Sequence, residues 1–202
     1  MNDRKTLIIF DWDDTLFPTF WTIQNNINLI DKKVQNQYIV FFAKLDTILY
    51  QILTKLLNYG NVAIVTNAGS KWIMVSSCML PNTQKILRDK ILILSARDAY
   101  QNKYPDQMHL WKKKVFRNIV AEHFKDHNLQ NIISIGDAEY EFTALTDLYN
   151  HNSVIKKRLL KTIRFKKEPS FDDLMDQLEV FNECAIKIVL NSDHMDLKFE
   201  NK

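Results

Sequence analysis

The sequence predicts an α/β fold in which helices cover both faces of a doubly wound, five-stranded parallel sheet. Short aliphatic runs alternate along the chain with longer segments whose apolar residues recur at helical spacing, as in sheets whose parallel strands are joined by helices. The aliphatic runs are unbroken, which is typical of strands covered on both faces. The predicted strands are residues 6–10, 62–66, 91–94, 132–135 and 162–165.

Helices are predicted between and after these strands. From residue 41 to residue 57 apolar side chains recur every three or four positions, and Gly60 stands where a helix commonly ends. Apolar spacing and terminal Pro or Ser residues predict further helices at 71–79, 107–124, 139–149 and 171–190. Residues 191–202 are predicted to be a loose tail.

Length and composition indicate one domain, which we place at residues 1–190. A chain of 202 residues suits a single core, and it contains no repeat, low-complexity tract or linker rich in Pro and Gly. A hydrophobic fraction of 46% and a charged fraction of 25% are typical of globular proteins. The aliphatic runs are too short to cross a membrane, and no signal peptide precedes the first strand, so we expect a cytoplasmic protein. The net charge of +3 selects no class of partner.

Polar residues directly follow three of the predicted strands. Because the carboxyl ends of parallel strands meet at one edge of a sheet, we expect these side chains to lie close together. They are Asp11, Asp13 and Asp14 after the first strand, Thr66 and Asn67 at the second, and Asp137 after the fourth, with Glu141 one helical turn later.

Carboxylates gathered at one edge repel one another unless a cation lies between them, and Mg²⁺ prefers sites with a few carboxylates and water. We therefore predict a Mg²⁺ site. Asp11 and Asp13 are two residues apart, so in extended backbone both can face the same side. One can then act as a nucleophile and the other as a general acid and base.

The segment Phe-Asp-Trp-Asp-Asp-Thr-Leu at residues 10–16 resembles the first motif of the haloacid dehalogenase-like (HAD) superfamily, an aliphatic strand followed by Asp-x-Asp-x-Thr. The second motif of that superfamily is a strand ending in Ser or Thr, and Ile-Val-Thr-Asn at residues 64–67 is similar to it. Gly136 and Asp137, with Glu141 four residues on, resemble the acidic fourth motif, although Glu141 replaces the more usual Asp.

The third HAD motif is a lysine near the start of the helix before the fourth strand. Lys112, Lys113 and Lys114 are the candidates here. We choose Lys112, because the next two residues are apolar and should turn toward the sheet, so that the helix aims its first exposed amine at the sheet edge. The resemblance covers roughly residues 6–165, and the order of four motifs is far more specific than any one of them.

The resemblance implies a phosphatase that uses nucleophilic catalysis. Asp11 would attack phosphorus and become an aspartyl-phosphate, and Asp13 would protonate the leaving oxygen and then activate water. Mg²⁺ would be held by Asp11, by the backbone carbonyl of Asp13 and by Asp137, with Glu141 reaching it through water. The phosphoryl group would be bound by Lys112, Thr66 and Asn67.

The substrate of a HAD enzyme commonly depends on a cap domain inserted after the first or second motif. Residues 17–38 are long enough only for an ordinary connection or a short flap, and residues 67–112 must already supply a helix, a strand and a helix. A capless, open site suits a bulky phosphorylated substrate, such as a phosphoprotein or a nucleic-acid end. Lys166 and Lys167 follow the fifth strand and could attract an anionic polymer, or they could belong to a solvated face.

Two other interpretations use the same residues. A receiver domain of two-component signalling also forms an aspartyl-phosphate, but its acceptor Asp follows the third strand, where this chain has Ile93, Leu94 and Ser95. A catalytically inactive module of the HAD fold could bind a phosphorylated partner without turnover, although Asp11 and Asp13 are both present. A third, simpler possibility for Asp137 is that it only caps a helix.

Overall fold

The computed structural model describes residues 5–125, 129–151 and 158–200. These residues form one parallel sheet of six strands in the order β3-β2-β1-β4-β5-β6. The α/β class and the parallel sheet are therefore as predicted, whereas the number of strands is six and not five. The strands are β1 (Thr6–Phe10), β2 (Asn61–Thr66), β3 (Leu92–Ser95), β4 (Asn131–Gly136), β5 (Leu159–Arg164) and β6 (Met195–Lys198).

The sixth strand lies in the segment predicted to be a loose tail, and that prediction is wrong for Met195–Lys198. This strand pairs in parallel with β5, from Lys161 opposite Met195 to Arg164 opposite Lys198. Asp196 anchors it, because its carboxylate accepts hydrogen bonds from the Thr162 hydroxyl and from the Arg164 guanidinium. A four-residue strand held by polar contacts lacks the aliphatic run by which the other strands were found.

In the described ranges, eight α-helices connect or follow the strands. Helix α2 begins at Lys32, well before the predicted start, because Asp31 caps it by accepting a hydrogen bond from the Lys33 N–H. Helix α6 continues into a π-helical turn at Ile119–His123. The helices are α1 (Thr19–Gln24), α2 (Lys32–Leu57), α3 (Ser70–Ser77), α4 (Pro81–Lys90), α5 (Ala96–Tyr100), α6 (Met108–Asn118), α7 (Glu139–His151) and α8 (Phe171–Leu190).

Two apolar clusters, one on each face of the sheet, form the core. Alternate residues of β1 take part in each: Ile8 and Phe10 belong to one cluster, and Leu7 and Ile9 to the other. Helices α2, α3, α4 and α8 contribute to the first cluster, and α5, α6 and α7 to the second. Burial on both faces explains why the strands read as unbroken aliphatic runs.

Residues 17–38, predicted to be a connection or a short flap, form α1 and the first turns of α2. Trp21 fixes α1 in place, because its ring lies 5.0 Å from that of Phe171 on α8 and 5.6 Å from that of Tyr38 on α2. The segment between β1 and β2 therefore consists of these two helices, and α1 packs against α8.

The winding of the chain reverses at β1, which lies between β2 and β4. In open parallel sheets a crevice forms at such a reversal, outside the carboxyl ends of the two diverging strands. Asp11 follows β1 and Asp137 follows β4, so both acids stand at this crevice.

Candidate functional site

Asp11 lies at the floor of the crevice and is only 7% exposed. Its backbone N–H donates to the carbonyl oxygen of Ile135 at 2.8 Å, which ties the end of β1 to β4. Its Oδ1 accepts from the backbone N–H of Trp12 at 2.7 Å, and its Oδ2 lies 2.9 Å from Nζ of Lys112. The carboxylate is thus held in one orientation from two sides.

Asp11, Asp137 and Glu141 form a compact acidic cluster. Each offers a carboxylate oxygen within 4.8 Å of the others, and no other His, Cys, Asp or Glu residues in the described ranges gather in this way. Glu141 folds back from α7 toward the end of β4, where its Oε2 accepts from the Ala138 N–H at 3.0 Å. Gly136 makes this possible, because a Cβ at that position would lie 2.2 Å from Cγ of Glu141.

Lys112 is the lysine that reaches the cluster. It is 1% exposed, and its ammonium group contacts both Asp11 and Glu141. Lys113 and Lys114 remain half-buried, and the Lys114 ammonium lies 5.6 Å from the centre of the Tyr104 ring. The choice of Lys112 among the three thus agrees with its position, but the reason differs, since the side chain is buried and not the first exposed amine.

The cluster carries more negative than positive charge, and its pKa values reflect this. Burial raises the pKa of Asp11 well above its ordinary value, Lys112 opposes that shift, and Glu141 and Asp137 add to it. Burial, and then the charge of Glu141, raises the pKa of Asp137 to about 7. Burial alone would lower the pKa of Lys112, but the carboxylates of Asp11 and Glu141 outweigh it and hold that pKa above its ordinary value.

These residues fit a metal ion. A divalent cation between them would offset the excess negative charge, and a donor set made only of oxygens is typical of hard cations. The sequence placed Glu141 in contact with the metal only through water. In the structure its oxygen lies within 4.8 Å of those of Asp11 and Asp137, which is close enough for all three to hold one ion.

Asp13 lines the same crevice as Asp11 and Asp137. Its Oδ1 accepts from the hydroxyl of Thr19 and from the indole Nε1–H of Trp72, both at 2.6 Å. Its Oδ2 accepts from the Thr66 hydroxyl at 3.0 Å. Thr66 is fully buried and also accepts from the Ala68 N–H at 2.9 Å, so it positions Asp13. Substrate contact by Thr66 stays a prediction.

Asp14 shapes the loop that presents Asp11 and Asp13. Its backbone is left-handed, with φ at 53°, and its Oδ1 accepts from the Phe20 N–H at 2.8 Å. Burial raises the pKa of Asp14 to about 6. Asp14 therefore organises the loop by local hydrogen bonds.

The acids open into a cleft of about 520 Å³. Asn67 lines this cleft, and both polar atoms of its amide are buried without a hydrogen-bond partner among the described residues. Trp12 does not line the cleft: it is fully buried, and its indole N–H donates to the Ser76 hydroxyl at 2.9 Å.

Two residues of the site escaped the sequence reasoning. Thr19 belongs to none of the motifs, and a tryptophan such as Trp72 is more often a packing residue than part of a polar site. Their contacts with Asp13 span 6 and 59 positions of the chain. Since no motif connects such positions, only the folded chain reveals these contacts.

The densest basic stretch of the chain lies at residues 156–167, around the fifth strand, and several of its described members have polar partners. Lys161 is buried, and its ammonium donates to the carbonyl oxygens of Ile188 and Asn191, both at 2.7 Å. Arg164 pairs with Asp196 and Glu139. Lys156 and Lys157, which the sequence included in this stretch, lie outside the described residues.

A second cleft of about 570 Å³ adjoins the first at Asp137 and Ala138. Lys166, Lys167 and Lys198 line it. Lys166 lies 3.3 Å from a carboxylate oxygen of Asp173, whereas Lys167 and Lys198 are exposed. Lys166 and Lys167 thus follow β5 and line a cleft that also contains Asp137.

Comparison of the chain with protein-family models, with curated proteins and with solved structures finds no match. Across the part of the chain that is described, no helix is both long and apolar enough to span a membrane.

Proposed function

We propose that this chain is a Mg²⁺-dependent phosphomonoester hydrolase of the HAD type, acting through an aspartyl-phosphate on Asp11. One observation carries the proposal: the buried Asp11 carboxylate contacts Lys112, lies within the acidic cluster, and lines the same cleft as Asp13. The residues that four separate motifs supply therefore lie around one point of the sheet edge.

Mg²⁺ would be held by Asp11, Asp137 and Glu141, with the backbone carbonyl of Asp13 as the further ligand that the resemblance implies. When bound, it would neutralise negative charge on the transferring phosphoryl group.

In the first chemical step, a carboxylate oxygen of Asp11 forms a bond to phosphorus while the bond from phosphorus to the leaving oxygen breaks. Asp13 gives its proton to that leaving oxygen, which departs as an alcohol. In the second step, Asp13 takes a proton from water, and the water oxygen attacks phosphorus. The phosphorus–Asp11 bond then breaks, so inorganic phosphate leaves and the Asp11 carboxylate is restored.

The other residues act by positioning charge and dipoles, which is where most catalysis of phosphoryl transfer originates. Lys112 orients Asp11 through the 2.9 Å contact. Thr19, Thr66 and Trp72 hold Asp13. The unpartnered amide of Asn67 would donate an N–H to a phosphoryl oxygen.

An assay with p-nitrophenyl phosphate tests the proposal. We expect turnover that needs Mg²⁺ and is abolished by EDTA, and we expect Asp11→Asn to lose about a thousandfold or more. Asp31→Asn is the matched control, because Asp31 caps α2 on the surface and Asn is an equally good cap.

Two results would contradict the proposal. Turnover retained by purified Asp11→Asn would exclude Asp11 as the nucleophile. A wild-type protein that binds phosphate analogues with Mg²⁺ but turns over no phosphomonoester would instead support the inactive, phosphate-binding module.

A further inference from the structure

The cleft that contains Asp11 is lined by apolar as well as charged side chains. Four of its lining residues have large apolar surfaces and are called the apolar rim here: Ile23, Trp72, Met108 and Tyr140. Arg97, which is exposed, also lines the cleft. Ile23 is 66% exposed and Met108 is 37% exposed, while the other two rim residues are half-buried. Large apolar side chains that line a polar site mark a place where a ligand can bury apolar surface.

Each of these side chains belongs to a helix that also carries a residue in contact with Asp13 or a residue of the charged cluster around Asp11. Ile23 follows Thr19 by four positions on α1, and Met108 precedes Lys112 by four positions on α6. Residues four apart lie on the same helix face. Tyr140 directly precedes Glu141 on α7. The apolar rim is therefore built on the same elements that position the acids.

The rim is next to the leaving group. The leaving oxygen must come within hydrogen-bond reach of Asp13, which is the proposed general acid. Asp13 accepts hydrogen bonds from Trp72 and Thr19, and Thr19 belongs to the helix that carries Ile23. The atoms attached to the leaving oxygen consequently lie beside Trp72 and Ile23.

Trp72 offers mainly carbon surface to a ligand. Its indole N–H is already donated to Asp13, and its ring is braced at 5.9 Å, edge to face, against Phe17. Hydroxyl groups of a sugar or glycerol next to this surface would lose hydrogen bonds to water without regaining them. A flat aromatic ring would not suffer this loss.

We propose, resting on the phosphatase function above, that the substrate is a phosphate ester of an aromatic alcohol. The ester is either a free aryl phosphate or a phosphorylated tyrosine side chain. The phosphate enters toward Asp11, and the ring that carries the leaving oxygen lies between Ile23, Trp72 and Met108.

The closing experiment measures binding of two inert analogues, because reaction rates would also reflect how easily each alcohol leaves. Dissociation constants of benzylphosphonate and propylphosphonate are determined by calorimetry with Mg²⁺ present. We expect benzylphosphonate to bind about tenfold more tightly, which is the size of effect that one aromatic contact gives.

Variants of the rim test which residues cause the preference. Ile23→Ala and Met108→Ala should each reduce it, and the double variant should bring the two dissociation constants close together. Met74→Ala is the matched control, since Met74 is 68% exposed on α3 but does not line the cleft. Trp72→Phe should keep the preference while lowering kcat, because it retains a ring but loses the N–H that holds Asp13.

Failure of this inference is distinguishable from failure of the phosphatase function. If p-nitrophenyl phosphate is hydrolysed but the two phosphonates bind equally well, the inference is overturned and the activity stands. If benzylphosphonate is preferred but nothing is hydrolysed, the inferred ligand class stands and the activity fails. Absence of binding by both phosphonates overturns the inference as well.

A last comparison separates the two sources of the aromatic ester. A higher kcat/KM for a phosphotyrosine peptide than for phenyl phosphate supports a protein substrate. Equal values support a free aryl phosphate.

Discussion

At the scale of single residues, the main feature of the site is an imbalance of buried charge. Lys112 balances only part of the charge of Asp11, Asp137 and Glu141; Asp137 is half-buried, and the other three side chains are buried. Buried carboxylates without a counter-charge bind protons more tightly than exposed ones. In the absence of metal, we therefore expect the cluster to bind a proton, which a cation would displace.

This imbalance predicts how stability depends on pH. The pKa of Asp137 is about 7 in the folded chain and about 4 in an unfolded one. Because the folded value is the higher one, the stabilising contribution of Asp137 is fully present below about pH 4 and is lost as the pH rises through about 7. We expect the Tm of EDTA-treated protein to fall by several degrees between about pH 5 and about pH 8, and Mg²⁺ to restore it at the higher pH.

The Asp137→Asn variant should lose much of this decline, since Asn does not titrate. Asp98→Asn is the control. Hydrogen bonds from Ser70 hold the pKa of Asp98 below its ordinary value, which is the opposite direction to the shift of Asp137. This variant should therefore keep the wild-type decline in Tm between about pH 5 and about pH 8. An Asp137→Asn variant with the same pH slope as the wild type would contradict the assignment.

At the scale of elements, the turn from β4 to α7 brings the acids together. Glu141 reaches the cluster only by folding back over Gly136, where an added Cβ would lie 2.2 Å from the Glu141 side chain. Gly136→Ala should therefore displace Glu141. We expect Mg²⁺ affinity to fall by about tenfold or more, as for other changes to groups that hold metal ligands, measured by calorimetry.

Gly60→Ala is the matched control for crowding. A Cβ at Gly60 would lie 2.8 Å from the carbonyl oxygen of Thr6, at the end of β1 opposite to Asp11. Both variants should lose about 1–3 kcal/mol of folding free energy through overpacking, but only Gly136→Ala should weaken Mg²⁺ binding. Equal effects on Mg²⁺ binding would show that Glu141 has no special part in it.

At the scale of the whole molecule, the two adjoining clefts predict a response to salt. Lys167 and Lys198 are exposed in the cleft that meets the acidic site at Asp137. We expect kcat/KM for an acidic phosphotyrosine peptide to fall with added salt more steeply than that for phenyl phosphate, because a peptide is long enough to reach both clefts.

The double variant Lys166→Ala with Lys167→Ala should raise KM for the peptide about threefold and leave phenyl phosphate unchanged, as expected for exposed charges. Lys85→Ala with Lys90→Ala removes the same charge from the exposed surface of α4 and should affect neither substrate. Equal salt sensitivity for both substrates, with no effect of the first double variant, would indicate a small substrate alone.

Prediction from the sequence worked where one segment carries its own signal. The runs at residues 6–10 and 132–135 are recognisable because a strand buried on both faces needs an unbroken aliphatic surface. Helix α8 was predicted with the bounds that it has in the structure, because Ser170 and Asp173 form a capping box at its start. Strand β6 was missed because its stability comes from partners on β5 and not from its own residues.

By itself, the sequence determined the α/β class, the parallel sheet and the edge at which Asp11, Asp137 and Glu141 meet, since these follow from local periodicity and from the common direction of parallel strands. Only the tertiary structure decided that Lys112 is buried between two acids, that Trp72 and Thr19 hold Asp13, and that four large apolar side chains line the cleft. These features depend on contacts between distant segments. Packing, and not any local pattern of residues, brings such segments together.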